Sequence, residues 1–283
     1  MAFHTRSNSF PSRPHPVLQE VDELLCRLRS SEANSASSSS ISHKLSGLQD
    51  LHDCVDRLLQ LPLTQQALAQ VQNEKWANEL LDGSLRLLDV SSSAKDAILQ
   101  TKECVQDLQS IIRRRGGETG LTSEVRKYLS SRKMVKKAIQ KAMKNLKGTE
   151  NRSTFSSLNK DDETFSVVSK LREVEAITLA VFESLLSFIS GPKSQPSSWS
   201  LVSKMMQSKK VACEEATEIN EFAEVDAALN SLIRHKASKP SADDAHNQLD
   251  QLELCIQDQE EGLECLFRQM IKTRVSLLNI LNH

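Results

Sequence analysis

Two groups of residues stand out by type and spacing, and both point to binding rather than bond-making. Near the N-terminus, Arg6-Ser7-Asn8-Ser9-Phe10-Pro11 follows the pattern R-S-x-S-x-P. A phosphate on Ser9 would add about two negative charges to an extended segment, with a basic residue at the −3 position that many kinases require. Pro11 would turn the chain out of a groove. A phosphoserine-binding adaptor of the 14-3-3 type is therefore the partner expected for Arg6, Ser7, Ser9 and Pro11. The competing reading is that short serine motifs arise by chance in polar tails.

The second group is Arg126, Lys127, Lys133, Lys137, Lys141 and Lys144. At about 100° per residue they cluster on one side of a helix, opposite Leu121, Val125, Tyr128, Val135, Ile139 and Leu146. A face of this kind fits an anionic partner, such as an acidic membrane leaflet. Nucleic acid is a poorer fit. Backbone phosphates need only clustered lysine and arginine, but reading bases adds stacking or edge contacts, and Tyr128 is the helix's one aromatic, on the apolar side.

No catalytic, cofactor or metal pattern accompanies these groups. HExxH, GxxxxGK[ST], GxSxG and a strand-borne GxGxxG are all missing. His52, Asp53 and Cys54 are consecutive, so on a helix they point about 100° apart and form no triad. Gly116-Gly117-Glu118-Thr119-Gly120 reads as a hinge between helices. Cys26, Cys54, Cys104, Cys213, Cys255 and Cys265 show neither CxxC nor zinc spacing, and are expected as reduced thiols on helices. The expectation is a non-enzymatic chain.

The formal net charge is −1, yet the charge is unevenly spread. Arg113 to Lys147 carries twelve Lys/Arg against two acids, and Glu214 to Glu264 carries fourteen acids against three bases. Either the two segments neutralise each other or the basic one is free for a partner. Burial would decide: outward lysines leave the face available, and lysines against Glu214 to Glu264 make the charge structural.

The elements that must hold these residues are helices. Hydrophobic residues make up 39% and aromatics 4% of the 283, with only 8 glycines and 7 prolines, and no alternating strand pattern is bounded by turn residues. Residues 1–15 lack periodicity and are expected as a disordered tail. Residues 16–283 are expected as a single elongated bundle of six to eight helices. Pro16 should open the first helix, and a serine linker at 31–40 should separate it from one ending near Leu61-Pro62. Thr64 is the expected cap of a long helix, interrupted near Ser91 to Ser93 and ended by Gly116, Gly117 and Gly120. Loops are expected near 148–163, 191–200 and 237–243. The wide apolar arc of the helix from about Thr164 to Ser190 predicts contact from more than one side.

The last helix holds a coiled-coil-like seam: Leu249, Leu252, Ile256, Leu263, Leu266, Met270, Leu277 and Ile280, with Gln259 and Thr273 as polar exceptions. Such a seam is expected to pack inside an antiparallel bundle rather than against a second chain. The stretch Ala176 to Ser190 is too short and too charged to span a membrane. Residues 1–19 lack the apolar core of a secretory signal, although their arginines, serines and lack of acids leave a transit peptide open. The expected location is cytoplasmic, with a peripheral membrane position as the alternative.

Several segments resemble a known family. They are "FHTRSNSFPSRPHP" (3–16), "GLQDLHDCVDRLLQLPLTQQAL" (47–68), "LLDGSLRLLD" (80–89), "SEVRKYLSSRKMVKKAIQKAMKNLK" (123–147) and the closing "LELCIQDQEEGLECLFRQMIKTRVSLLNILNH" (252–283). The chain resembles the plant-specific, BYPASS-like family over nearly its whole length, and the loop near 148–163 is where members differ. The resemblance implies a helical plant protein linked to root and shoot development. It brings no catalytic residues to transfer. The function expected is a scaffold or regulator acting through protein–protein contacts, or alternatively a peripheral protein binding anionic lipid through residues 121–147.

Overall fold

The computed structural model of the chain describes residues 15–32, 37–69, 75–114, 118–150, 163–191, 220–234 and 242–282. Among these the fold is all-α. Eight helices follow in order: α1 (Pro16–Glu32), α2 (Ser38–Leu59), α3 (Pro62–Ala69), α4 (Lys75–Arg113), α5 (Glu118–Glu150), α6 (Glu163–Ser190), α7 (Glu221–Arg234) and α8 (Ala242–Asn282). At 1.5 Å per residue, the 39-residue α4 and 41-residue α8 are each about 60 Å long, so the bundle is elongated. The tail with Arg6, Ser7, Ser9 and Pro11 lies outside the described residues, as do Gly116, Gly117 and Cys213.

Side-chain pairs across the seams fix the directions. Arg27–Asp50 and Arg57–Glu20 set α1 antiparallel to α2. Lys95–Glu264, Lys102–Glu260 and Gln106–Glu253 set α4 antiparallel to α8. Gln49 donating to the Gly262 carbonyl, and Gln269 to Asp53, set α2 parallel to α8. α8 thus lies between α2 and α4, and its heptad residues from Leu249 to Ile280 are buried there with Gln259 and Thr273. The seam closes within the chain. Each large apolar side chain it buries contributes roughly 1.5–3 kcal/mol before entropy is counted.

α6 is covered from several sides. α1, α2, α3, α4 and α5 all contact it, and Val167, Val168, Ile177, Phe182, Leu186 and Ile189 are buried over about half its circumference. Where it meets α2, His52 is buried and lies 3.1 Å from Thr178 Oγ1, whose own hydroxyl donates to the Val174 carbonyl at 2.7 Å. The histidine Nε2–H must then be the donor. Burial pushes the imidazole pKa down to about 4, so the ring sits neutral in the core. Asp53 and Cys54 point away from it, one exposed and one buried.

Several boundaries differ from the sequence-based expectation, each for a local reason. The serine linker expected over 31–40 is shorter: α1 runs to Glu32, and Ser37 caps α2 by accepting from the Ser40 amide at 3.2 Å. Serine is a good N-cap as well as a linker residue, and the cap wins here. Thr64 does not cap a long helix. It is buried inside the separate short helix α3, which Pro62 opens. No break occurs at Ser91 to Ser93. Ser91 is fully buried and Ser93 returns its hydroxyl to the Asp89 carbonyl, so small polar residues pass through a packed helix intact. Gly120 lies within the first turn of α5 rather than ending α4. The residues around the expected breaks near 148–163 and 237–243 are helical up to Glu150 and from Ala242.

Candidate functional site

α5 carries basic residues on two sides, and the two sides have different surroundings. Its inner side follows from the apolar spacing: Val125, Tyr128, Val135, Ile139 and Leu146 are buried against the bundle. Arg132 falls on that same side, four residues after Tyr128 and three before Val135, and is only 2% exposed.

A corner of three helices receives this arginine. Gly191, at φ +73, ends α6 in the left-handed conformation that glycine adopts without strain. Asn220 opens α7, accepting from the Ala223 amide at 2.9 Å while donating to the Phe188 carbonyl at 2.9 Å. Phe188 and Phe222 meet edge to face at 5.5 Å. Arg132 Nε donates to Asp226 Oδ1 at 3.2 Å, its Nη2 donates to the Ile189 carbonyl at 2.7 Å, and its guanidinium lies 5.1 Å from the Phe222 ring centre. Lys136 reaches the other oxygen of Asp226 at 2.9 Å. Burial pushes the pKa of the neighbouring Tyr128 phenol upward, and Asp226 adds to the push. One carboxylate therefore ties α7 to two cations of α5.

The outer side is different. Arg126, Lys127, Lys133, Lys137, Lys141 and Lys144 are all exposed. Lys127 pairs with Glu124 one turn back at 2.6 Å. The other five make no ion pair with any described residue, and at 100° per residue they fall within roughly an 80° arc about 27 Å long. Met134 stands at the edge of this row, 59% exposed.

Among the described residues, the acidic half of the chain does not neutralise the row. Its carboxylates are met chiefly from α4, where Lys95 pairs with Glu264 and Lys102 with Glu260, while Arg113 lies 3.8 Å from Asp250. Among the described residues, only Arg132 and Lys136 of α5 meet an acid of that segment, Asp226. Among the described residues, these lysines thus point outward and away from the acids between Glu221 and Glu264.

Sequence reasoning left Arg132 and Lys136 out of the basic face and gave them no role, so it missed the Arg132–Asp226 corner. The signal was present in the spacing, since Arg132 shares the face of Tyr128, Val135 and Ile139. Its partner Asp226, 94 residues on, had no sequence signal.

Elsewhere, charged side chains line open grooves and pair across them. One such groove, about 810 Å³ between α1, α2 and α8, is lined by Glu20, Asp50, Asp56, Arg57 and Lys272 among others. Arg57–Glu20 at 2.6 Å and Lys272–Asp56 at 2.6 Å close it off electrostatically. Cys54 and Cys255 are buried, and burial pushes their thiols up to about 11 and about 12, away from thiolate chemistry. Among the described residues no helix is long and apolar enough to cross a membrane.

The family comparison agrees with the segments quoted above. The model of one family, Protein BPS1, matches residues 44–280, from within α2 almost to the end of α8. No curated protein and no solved structure matches the chain. The chain belongs to the Protein BPS1 family, the BYPASS-like family of plants that its sequence resembles.

Proposed function

We propose that this chain is a non-enzymatic regulatory scaffold of plant root and shoot development, acting by docking macromolecules that carry negative charge on the outer face of α5. The observation that supports this reading most is the row of Arg126, Lys133, Lys137, Lys141 and Lys144, exposed and unmatched by any acid of the described chain. Lys133/Lys137 and Lys137/Lys141 are like charges four residues apart, each pair costing the helix about 0.2–0.5 kcal/mol. A partner would relieve that repulsion. Family membership supports the developmental setting. Several buried polar groups pair across helix seams, His52 with Thr178, Gln109 with Asp250 and Arg132 with Asp226, a packing role that suits a scaffold. The N-terminal motif, once phosphorylated at Ser9, would add a second, adaptor-dependent contact.

The experiment is rescue of a plant lacking this chain. Wild-type protein should restore root and shoot growth. A variant with Lys133→Glu, Lys137→Glu, Lys141→Glu and Lys144→Glu, folded and equally abundant, should not. Full rescue by that variant would remove the outer face from the function.

A second reading has its own support. The row is purely basic, and exposed Met134 beside it offers an apolar contact of the kind peripheral helices place at a lipid surface. Each basic residue near an anionic leaflet contributes about 1 kcal/mol and fades with salt. Flotation with vesicles of phosphatidylcholine, with and without phosphatidylserine, tests it. Salt-sensitive binding to the anionic vesicles alone supports a peripheral membrane protein, and no binding to either assigns the face to protein partners.

A further inference from the structure

α4 carries a second single-sign row, of the opposite sign. Asp82, Asp89, Asp96 and Glu103 recur every seven residues, and Asp107 follows one turn after Glu103. All five are exposed, and their carboxylates make neither a hydrogen bond nor an ion pair with any described residue. At 100° per residue they lie within roughly a 60° arc. From Asp82 to Asp107 the row is about 38 Å long, enough to span the roughly 27 Å of the basic row on α5. Surface helices usually alternate signs at i,i+4 and gain from it; here each row keeps one sign.

The two helices are neighbours in the bundle, yet their rows do not meet. Every basic residue that α4 uses to pair with α8, namely Lys95, Lys102 and Arg113, lies off the acidic row. Apolar residues accompany both rows. Leu85 and Leu99, 46% and 49% exposed, follow Asp82 and Asp96 by three residues, and Met134 adjoins Lys133. A helix edge with apolar residues flanked by one sign of charge is what selects a partner helix of the other sign.

We propose that the acidic row of α4 in one copy docks the basic row of α5 in a second copy of this chain. The proposal rests on the reading of α5 as a docking face, and it names one partner for that face. Complementary sign, sufficient length and apolar edges favour a second copy, since every molecule carries both halves. The association draws on exposed charges, so it is weak and salt-dependent. Its dissociation constant should rise roughly tenfold or more from low to high salt, as screening shortens the reach of each charge.

Sedimentation equilibrium of the full chain, across concentration and salt, tests this. Wild type should self-associate at low salt and dissociate at high salt. One variant reverses the basic row (Lys133→Glu, Lys137→Glu, Lys144→Glu), and the other reverses the acidic row (Asp89→Lys, Asp96→Lys, Glu103→Lys). Each alone should be monomeric, and mixing the two should restore association, because each then offers the sign the other lacks. Neutral variants at the same positions, with Gln or Asn, give the same answer if a reversal disturbs folding. A monomeric wild type, an acidic-row variant that associates like wild type, or a mixture that stays monomeric would overturn the proposal. The wider α5 reading is judged separately. An acidic-row variant should still float with anionic vesicles wherever wild type does, whereas failure of the α5 reading leaves vesicle binding and plant rescue untouched by the basic-row variant.

Discussion

The inner and outer sides of α5 both carry basic residues and use them in opposite ways. On the inner side Arg132 has given up nearly all its water, and Asp226, the Ile189 carbonyl and the Phe222 ring replace it. On the outer side Arg126, Lys133, Lys137, Lys141 and Lys144 keep their water and have no counter-charge in the described chain. A buried cation without its partner is costly, so the inner side is bound to structure. A solvated row of like charges costs little and gives the fold nothing. Charge alone does not mark a docking face; charge that the fold leaves unused does.

The largest way to break this contrast is Asp226→Ala. It strands the Arg132 guanidinium in the core and should cost about 3–5 kcal/mol, read as a lower urea midpoint. The double change Arg132→Met with Asp226→Leu should recover most of that loss, because a well-packed apolar pair replaces a buried ionic one without penalty. A double variant as unstable as Asp226→Ala alone would mean that the corner is held by something other than this pair.

Next in size is a pH effect that belongs to the interior alone. His52 is buried neutral with its pKa pushed down to about 4, below the ordinary 6.5. As pH falls below about 6.5 the unfolded chain takes up this proton first. The contribution is therefore full above pH 6.5 and is lost progressively toward pH 4, where the loss reaches about 3 kcal/mol. Replacing His52 with Gln should flatten the slope of stability against pH in that window. An unchanged slope would place the acid sensitivity elsewhere.

The smallest effect should fall on the outer row and have the opposite sign. Lys137→Glu puts a carboxylate four residues from both Lys133 and Lys141, turning two repulsions into attractions. The helix should gain roughly 0.5–1 kcal/mol, measured by urea unfolding, while affinity for an anionic partner falls. A destabilised variant would show that Lys137 is engaged within the fold.

Much of this arrangement was legible in the sequence, and the rest was hidden for physical reasons. Heptads from Leu249 to Ile280 marked the central helix because a buried seam must repeat every three and four residues. The spacing of Val125, Ile139 and Leu146 placed the lysines outward for the same reason. Boundaries were harder, since serine and threonine serve helix starts, interiors and linkers alike. Ser37 became a cap, Ser91 a packing contact and Thr64 an interior residue of α3. The acidic row of α4 was readable in the spacing of Asp82, Asp89, Asp96 and Glu103, but the larger excess of acids after Glu214 drew attention from it. The Arg132–Asp226 contact joins residues 94 apart in the chain, and only the packed bundle brings them together.

The central claim is that the outer row of α5 serves a partner and not the fold. Its most direct test is urea unfolding of the full chain carrying Lys133→Glu, Lys137→Glu, Lys141→Glu and Lys144→Glu, beside wild type and Asp226→Ala. The expected result is stability within about 1 kcal/mol of wild type, as for other exposed charges without partners. A loss approaching that of Asp226→Ala would show that the fold uses the row after all, and would contradict the claim.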